Sequence, residues 1–595
     1  MLQALAHRGP DEVGSHASAT AVLGATRLAI RGLAGGQQPL VDDATGVVAV
    51  CNGEIDNHGE LRAYLRERGR AVSQETDIAV IPGLYLELGE SFVERLAGAF
   101  AIAVWDPRSS RLLLARDRAG ERPLFYALGE REARFATEIA ALAAEPAQRL
   151  AADPAALRGF LRSGFFAAPT SPFAEVRKVA PAETVTIDAA GARHRRYWRW
   201  GVVSEEKRAP DAERFDAIFR EAVRRQSEVD VRYGAFLSGG IDSSLVAAVA
   251  SRVRPDYPLK AFTLRFEEAS FDEGSFAERV ARQLGIPAEP VWVRPEAFPA
   301  MLAELIAHAG EPLADPAWVP TAMLSRRAAE EVKLALVGEG GDELFGGYPT
   351  YLGAQLAQRY ARLPGPVRAV CRRLVEGWPP SDKKVSISFL LKKFVAAAEL
   401  DGLRRHVDWT SNIGPELLAQ LGVPDAGTAW EDEAAAPLLD VVQRRDLETS
   451  LAEGLLTKAD RASMHSALEL RAPFLDQAVM EFAATLPERD RVRGVTTKVF
   501  LKRYALRYLP GAIVRRRKRG LSVPLSRWLR EPLREWAEDR LGSDRLAVAG
   551  VGKRNALALF GEHLSRRADH ARALWTLIVL SEWLDWAGRR PVPGR

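Results

Sequence analysis

The sequence predicts an α+β domain of stacked sheets, followed by an α/β domain with a doubly wound parallel sheet and a helical C-terminal part. Three observations carry this. The chain has 595 residues, and single cores stop growing near roughly 250–300 residues, so more than one domain is needed. Short apolar runs bounded by Gly, Asp and Pro turn signals crowd the early sequence. From about Asp211, strand-length and helix-length segments alternate, the pattern of a parallel sheet covered by helices.

In chain order, Val47 to Val50, Phe100 to Trp105 and Arg111 to Ala115 have strand length, with helical patterns at Gly59 to Arg68 and Asp77 to Leu88. The polar stretch Ser204 to Pro210 reads as a linker, giving domains 1–203 and 211–595. Beyond it, Tyr233 to Leu237, Ala261 to Phe266, Val291 to Val293 and Leu334 to Val337 read as strands. The helices between them are Asp242 to Val253, Ser275 to Leu284 and Pro320 to Glu331. After Gly346 the pattern is mostly helical, and the apolar run Ala573 to Leu580 reads as core.

Composition narrows the function classes. A hydrophobic fraction of 47% with 27% charged residues is that of a soluble globular protein. Basic and acidic residues nearly balance, 82 against 78, so a net charge of +4 calls for neither nucleic acid nor membrane. Cys51 and Cys371 cannot build a disulfide framework. With no long apolar run and no signal-peptide pattern at the start, the cytoplasm is the default.

Two loops carry the chemistry. Ser238-Gly239-Gly240-Ile241-Asp242-Ser243-Ser244 lies between a strand and a helix. Its glycines allow a phosphate to approach the backbone, and the following helix offers unpaired N–H groups to an anion. Asp242 suits an anion site only with a cation beside it, and Mg²⁺ takes a carboxylate together with phosphate oxygens. The loop is not a Walker A sequence, which has Lys after its last Gly. The second loop, Gly338-Glu339-Gly340-Gly341-Asp342-Glu343, also follows a strand and should open on the same sheet edge. Its three carboxylates suggest a metal site or a reactive-group clamp.

The strings SGGIDSS, EPLADP, GEGGDELFGGY, KADRASMHSALELRAPFLD and RKRGLSVP, in this order, resemble the glutamine-hydrolysing asparagine synthetases over most of the chain. The resemblance implies an ATP-pyrophosphatase domain binding ATP through Ser238, Gly239, Gly240, Asp242, Ser243 and Gly338. Asp242 and Asp342 would hold Mg²⁺ on the nucleotide. Glu339 would help deprotonate the attacking amine, and Lys518 would stabilise charge at the reacting centre. The arginines around Lys518 are read as surface charge. Val337 stands where the family usually has Ser and Leu521 where it often has Phe; neither change removes a charge or a metal ligand.

The first domain resembles a class II glutamine amidotransferase, implying an N-terminal-nucleophile fold of αββα layers. Arg27 would hold the glutamine carboxylate, Asn52 and Gly53 the oxyanion, and Glu54 and Asp77 the substrate ammonium. Family chains begin Met-Cys-Gly-Ile and use that Cys, with its own α-amine, as nucleophile. This chain begins Met1-Leu2-Gln3, so about 25–35 residues of the family pattern, including the terminal nucleophile, are not in it. Either the natural start lies upstream or the glutaminase is lost; the intact pocket residues favour an upstream start. The chain is expected to lack glutaminase activity and to use free ammonia. Cys51 is read as a small buried thiol rather than a replacement nucleophile.

These features imply ATP-dependent amide formation through an acyl-adenylate, with aspartate, glutamine or ammonia, and ATP as substrates and Mg²⁺ as cofactor. Related ligases acting on another carboxylate, in sugar amidation or in β-lactam or peptide ring closure, are the alternative. Partners are small molecules, without nucleic acid or membrane, and a homodimer is left open. A non-catalytic assembly protein and an RNA-modifying pyrophosphatase fit less well: the charged loop residues are intact, and no basic stripe with interleaved aromatics is present.

Overall fold

The computed structural model describes residues 1–72, 74–144, 150–201, 207–378, 387–424, 437–516 and 520–589; the expected linker lies partly outside them. The early sequence builds a six-stranded antiparallel sheet. Its strands, in spatial order, are Gly191–Arg196, Glu183–Asp188, Arg111–Arg116, Phe100–Asp106, Val48–Gly53 and Leu40–Val41. The period-two alternation of these strands sorts side chains to two faces. Ala49, Cys51, Ile102, Val104, Leu113 and Ala115 face a core shared with the helices His58–Glu67 and Ile81–Leu88. Val48, Val50, Ala101, Ala103, Leu112 and Leu114 face a second core, together with Leu124, Tyr126 and Val179. That core joins the large sheet to the hairpin Glu12–Ala17/Val22–Arg27 and to a three-stranded sheet of Ala133–Ala136, Phe125–Leu128 and Val176–Lys178. The far face of the small sheet, from Phe125, Ala127 and Ala136, is covered by the helices Ile139–Ala143 and Pro154–Ser163. The result is the expected αββα stack.

The remainder centres on a five-stranded parallel sheet. Its elements are strand β1 (Tyr233–Phe236), helix α1 (Ile241–Val253), β2 (Lys260–Arg265), α2 (Gly274–Leu284), β3 (Ala288–Trp292), α3 (Trp318–Ala329), β4 (Leu334–Leu336), α4 (Thr457–Met464), β5 (Glu469–Arg471) and α5 (Val499–Ala505). The spatial order is β3-β2-β1-β4-β5, every pair parallel. The order reverses between β1 and β4, and the crevice at such a switch point is where doubly wound sheets bind ligands. Both glycine-rich loops leave the C-terminal ends of these two neighbouring strands. β5 is absent from the sequence reading. It is a three-residue edge strand, Glu-Leu-Arg, embedded in helices, with no apolar run to mark it.

The two halves share one apolar core. Phe125, Leu157 and Phe160 pack with Phe298, Trp318 and the C-terminal helix Ala571–Gly588, whose run Ala573–Leu580 is entirely buried. Buried charge fixes the seam. Arg8 Nη1 and Nη2 donate to Asp460 at 2.8 and 2.9 Å, and Nη1 also reaches Glu138 at 2.8 Å. Glu453 accepts from Arg116 at 2.7 Å and from Lys178 at 3.1 Å, and Lys178 also contacts Glu311 at 3.0 Å. Burial alone would raise the Glu453, Glu138 and Asp460 pKa values, but the facing cations outweigh it and hold all three below the usual range. Glu453 lies within a π-helical stretch, Leu447–Leu456, that leads directly into α4. No helix among the described residues is long and apolar enough to cross a membrane.

Replacing Glu453 by Ala removes the carboxylate that faces Arg116 and leaves Lys178 with Glu311 alone. It should destabilise the protein by about 3–5 kcal/mol, read as a shift in the denaturant midpoint. An unchanged midpoint would contradict the seam described above. Because the three carboxylates have depressed folded-state pKa values, their stabilisation is fully present above the ordinary carboxylate values of 3.8–4.5 and is lost as pH falls through the folded values. Denaturation at decreasing pH should therefore show stability falling below about pH 4.5, with E453A less sensitive to acid than the wild type.

Candidate active site

The first cleft is assembled at the β1–β4 switch point and has a volume of about 390 Å³. Ser238, Gly240, Asp242, Ser243, Gly338, Glu339 and Asp342 all line it. Gly239 does not; it shapes the turn from behind. Its φ is +69°, and a Cβ there would meet the Ala277 N–H nitrogen and Phe276 Cβ at 2.6 Å. Within the loop, Ser243 Oγ accepts from the Ser238 N–H at 3.2 Å, and the two hydroxyls lie 3.0 Å apart. Gly338 presses the second loop against the first: a Cβ there would meet the Ser243 nitrogen at 2.7 Å and the Asp242 carbonyl carbon at 3.0 Å. The two loops therefore form one wall.

Asp242 and Asp342 converge on a single ammonium. Lys498 Nζ donates to both Asp242 oxygens at 2.6 Å and lies 2.7 Å from Asp342 Oδ1. Lys498 is 2% exposed, and its φ of +52° places a non-glycine residue in the left-handed region at the start of α5. Sequence reasoning missed it, since no glycine loop or charge run marks it. Lys518, the cation expected here, lies outside the described residues. Its neighbour Arg516 departs from the surface reading. Arg516 is mostly buried, stacks 3.9 Å over Phe276, donates to the Gly239 carbonyl at 3.1 Å and pairs with Glu273 at 2.6 Å. Beside Asp342, burial and the neighbouring carboxylate push Glu343 up to about 7, and Glu343 accepts a 2.5 Å bond from the Tyr348 hydroxyl. Lys458, the first-turn lysine of α4, faces the cleft and pairs with Asp315 at 3.2 Å.

A second cavity, of about 350 Å³, opens inside the αββα stack. Arg27, Asn52 and Gly53 line it. Asn52 Nδ2 donates to Thr137 Oγ1 at 2.7 Å. Arg27 donates to Glu12 at 3.1 Å and to the carbonyls of Arg31 and Gly32. Glu54 and Asp77 are not on the cavity wall. Glu54 is ion-paired with Arg471 of β5, and Asp77 accepts from the Ile55 N–H at 2.7 Å. Cys51 is buried, and burial pushes its thiol pKa well up, against thiolate formation. Met464, at the last turn of α4, lines this cavity, so one helix touches both.

Comparison with known proteins accounts for the pairing of these two sites. A family model described as asparagine synthase matches residues 214–585. The chain belongs to the asparagine synthase family. A glutamine amidotransferase domain model matches residues 1–198. The chain is similar to asparagine synthetase [glutamine-hydrolyzing] 1 of Bacillus subtilis, 30% identical with 98% of this chain and 92% of the relative covered. A putative asparagine synthetase [glutamine-hydrolyzing] of Mycobacterium bovis is 33% identical over 97% of this chain and 91% of its own. Amidase chry2 of Gibberella zeae is 27% identical over 83% and 78%. This synthase-family chain is thus an asparagine synthase-like carbon–nitrogen ligase, and the family uses ATP, generally with Mg²⁺.

The donor set of the first cleft suits that cation. Two carboxylates from different loops already converge on one positive charge. Among the described residues no cluster of three His, Cys, Asp or Glu could hold a metal by itself. Such a site fits Mg²⁺ delivered with phosphate oxygens, which is how the ion is usually held.

Two substitutions test the geometry. Lys498→Met should lower ATP-dependent pyrophosphate release on the order of 10²–10³-fold, as loss of a fixed charge-stabilising donor does, with an unaltered circular-dichroism spectrum. Gly338→Ala should separate the two loops and weaken ATP binding in a titration; unchanged affinity would mean that the loop contact is not needed for the site.

Proposed function

We propose that this synthase-family chain joins nitrogen to a carboxylate through an acyl-adenylate, with aspartate as the carboxylate and asparagine as the product. The observation that carries the reading is the cleft at the sheet's switch point, where the SGGIDSS and GEGGDE loops meet and Asp242 and Asp342 flank the Lys498 ammonium.

In this reading a carboxylate oxygen attacks the α-phosphorus of ATP. The bond from the α-phosphorus to its bridging oxygen breaks, and the electron pair leaves on pyrophosphate. The Ser238–Ser243 turn and the N-terminus of α1 receive phosphate oxygens through N–H and hydroxyl donors. Asp242 and Asp342 would hold Mg²⁺, which supplies neutralisation of phosphate charge. Lys498, fixed in a water-poor cleft, stabilises the negative charge that develops as pyrophosphate departs. Glu339, on the cleft wall, would accept a proton from the ammonia nitrogen as that nitrogen attacks the acyl carbon and AMP is expelled. Arg27, Asn52 and Gly53 are the proposed contacts for glutamine in the second cavity.

The aspartate assignment is supported by the names of the curated asparagine synthetases; the amidase-named relative keeps other carboxylates as the competing substrate class. Pyrophosphate release from Mg²⁺-ATP should require aspartate and proceed with ammonium. If a folded, ATP-binding protein releases none with aspartate but responds to another carboxylate, the asparagine reading is wrong while the ligase chemistry stands.

A further inference from the structure

The chain that follows the second loop folds as two helices, Pro349–Ala361 and Gly365–Glu376. From Pro349 to Trp378, five arginines (Arg359, Arg362, Arg368, Arg372 and Arg373) stand against one acid, Glu376. The near balance of charge over the whole chain hides this local excess. The second helix also carries an apolar stripe. Val367, Val370 and Leu374 recur at spacings of three and four, which places them on one face. Trp378 continues the spacing in the closing turn, where its N–H donates to the Val375 carbonyl at 3.2 Å. The stripe faces outward: Val370 is 60% exposed and Leu374 71%, with Val367 and Trp378 about half exposed. Among the described residues none of the four joins an apolar cluster. The helix is held from its other side. Arg368 and Arg372 both pair with Glu399, at 3.0 and 3.5 Å, and the Tyr360 hydroxyl donates to the Arg368 carbonyl at 3.1 Å. Arg359, Arg362 and Arg373 are exposed and have no ion-pair partner among the described residues.

Single exposed hydrophobics need no explanation, but an uncovered apolar stripe on one helix face does. The surrounding charge indicates what covers it. Val, Leu and Trp along one face, with arginines beside them, suit a helix lying in the headgroup boundary of a bilayer. Tryptophan favours that boundary, and guanidinium groups donate well to lipid phosphates. The excess of arginine selects anionic headgroups. A second copy of the chain fits less well. Pairing this face with itself would bring two arginine-rich rims together, with Glu376 as the one acid of each stretch to offset them. We infer that the Gly365–Glu376 helix docks the protein on an anionic lipid bilayer. Val367, Val370, Leu374 and Trp378 enter the headgroup boundary, and Arg359, Arg362 and Arg373 meet the lipid phosphates. None of these residues lines either cavity, so the contact is separate from the proposed chemistry.

Co-sedimentation of the full chain with lipid vesicles tests this. Vesicles of equal parts phosphatidylglycerol and phosphatidylcholine should capture the wild type. Vesicles of phosphatidylcholine alone should bind it at least about ten-fold more weakly. Raising the ionic strength from about 0.01 to about 0.15 M shortens the screening length from roughly 30 to 8 Å and should release much of the bound protein. The double variant Val370→Glu/Leu374→Glu should bind the mixed vesicles at least about ten-fold more weakly, since each change removes apolar contact and adds a negative charge. Both side chains are exposed, so the variant should keep the wild-type thermal midpoint, which separates lost docking from a lost fold. Arg373→Glu should weaken capture by about ten-fold, whereas Arg373→Lys, which keeps the charge, should stay within about three-fold. No capture of the wild type by the mixed vesicles would overturn the inference. So would equal capture of wild type and double variant, or equal capture by the two vesicle compositions. A wild-type dimer that the double variant separates, without vesicle capture, would assign the face to a second copy and likewise overturn it.

Discussion

Paired charge buried along the seam between the sheet stack and the parallel-sheet half is the constraint on which both sites depend. Apolar contact between the halves is extensive, but hydrophobic attraction is non-directional and tolerates sliding. The ion pairs do not. Arg8 is 4% exposed, Arg116 1% and Lys178 2%, and each finds its anion on the opposite half. A slip of one side chain's length would leave several charges buried and uncompensated, at a cost of several kcal/mol per ion. The alignment of the halves is therefore specified by Asp460, Glu453 and Glu311 more than by the surrounding apolar side chains.

That alignment passes directly into the chemistry because Asp460 lies in α4. At 1.5 Å rise per residue, the six steps from Lys458 to Met464 cover roughly 9 Å, and these two residues face different cavities. Between them, Arg8 clamps Asp460, and Arg461 donates to the Thr137 carbonyl at 2.9 Å. Thr137 in turn holds Asn52. Two cavities lined by residues of one short, pinned helix are tied together through it. In the reading proposed above, this rigidity keeps the two half-reactions in register. The Glu54–Arg471 pair adds a second tie, from the residue after Gly53 to the edge strand of the parallel sheet.

The doubly wound sheet and the two glycine loops were legible in the sequence because local pattern encodes them. Runs such as Ala261 to Phe266 have strand length, and a Gly-Gly turn before a helix has its own geometry. What was not legible depended on contacts between residues far apart in the chain. Lys498 is an isolated lysine whose significance comes from Asp242, 256 residues away. Arg516 resembled one charge in a surface run until Phe276 and Glu273 folded beneath it. β5 is three residues long and exists because β4 offers it a partner. The α4 residues Asp460 and Arg461 belonged to a recognisable string, yet their role in the seam with Arg8 required both halves to be in place.

The Lys498 backbone shows how strongly the first cleft is specified. A non-glycine residue in the left-handed region costs on the order of 1–3 kcal/mol and persists only where its surroundings determine it. Here the determinants are two carboxylates that would repel each other across the crevice without a cation between them. A lysine suits the gap because its charge is compact, whereas a guanidinium fork would need more room. That room is limited: a Cβ at Gly347 would already come within 2.3 Å of Lys498 Cε. The unfavourable backbone, the glycine beside it and the acidic pair are thus one unit. The ion pairs offset the strain, and the strain holds the ammonium at the point where Asp242 and Asp342 converge.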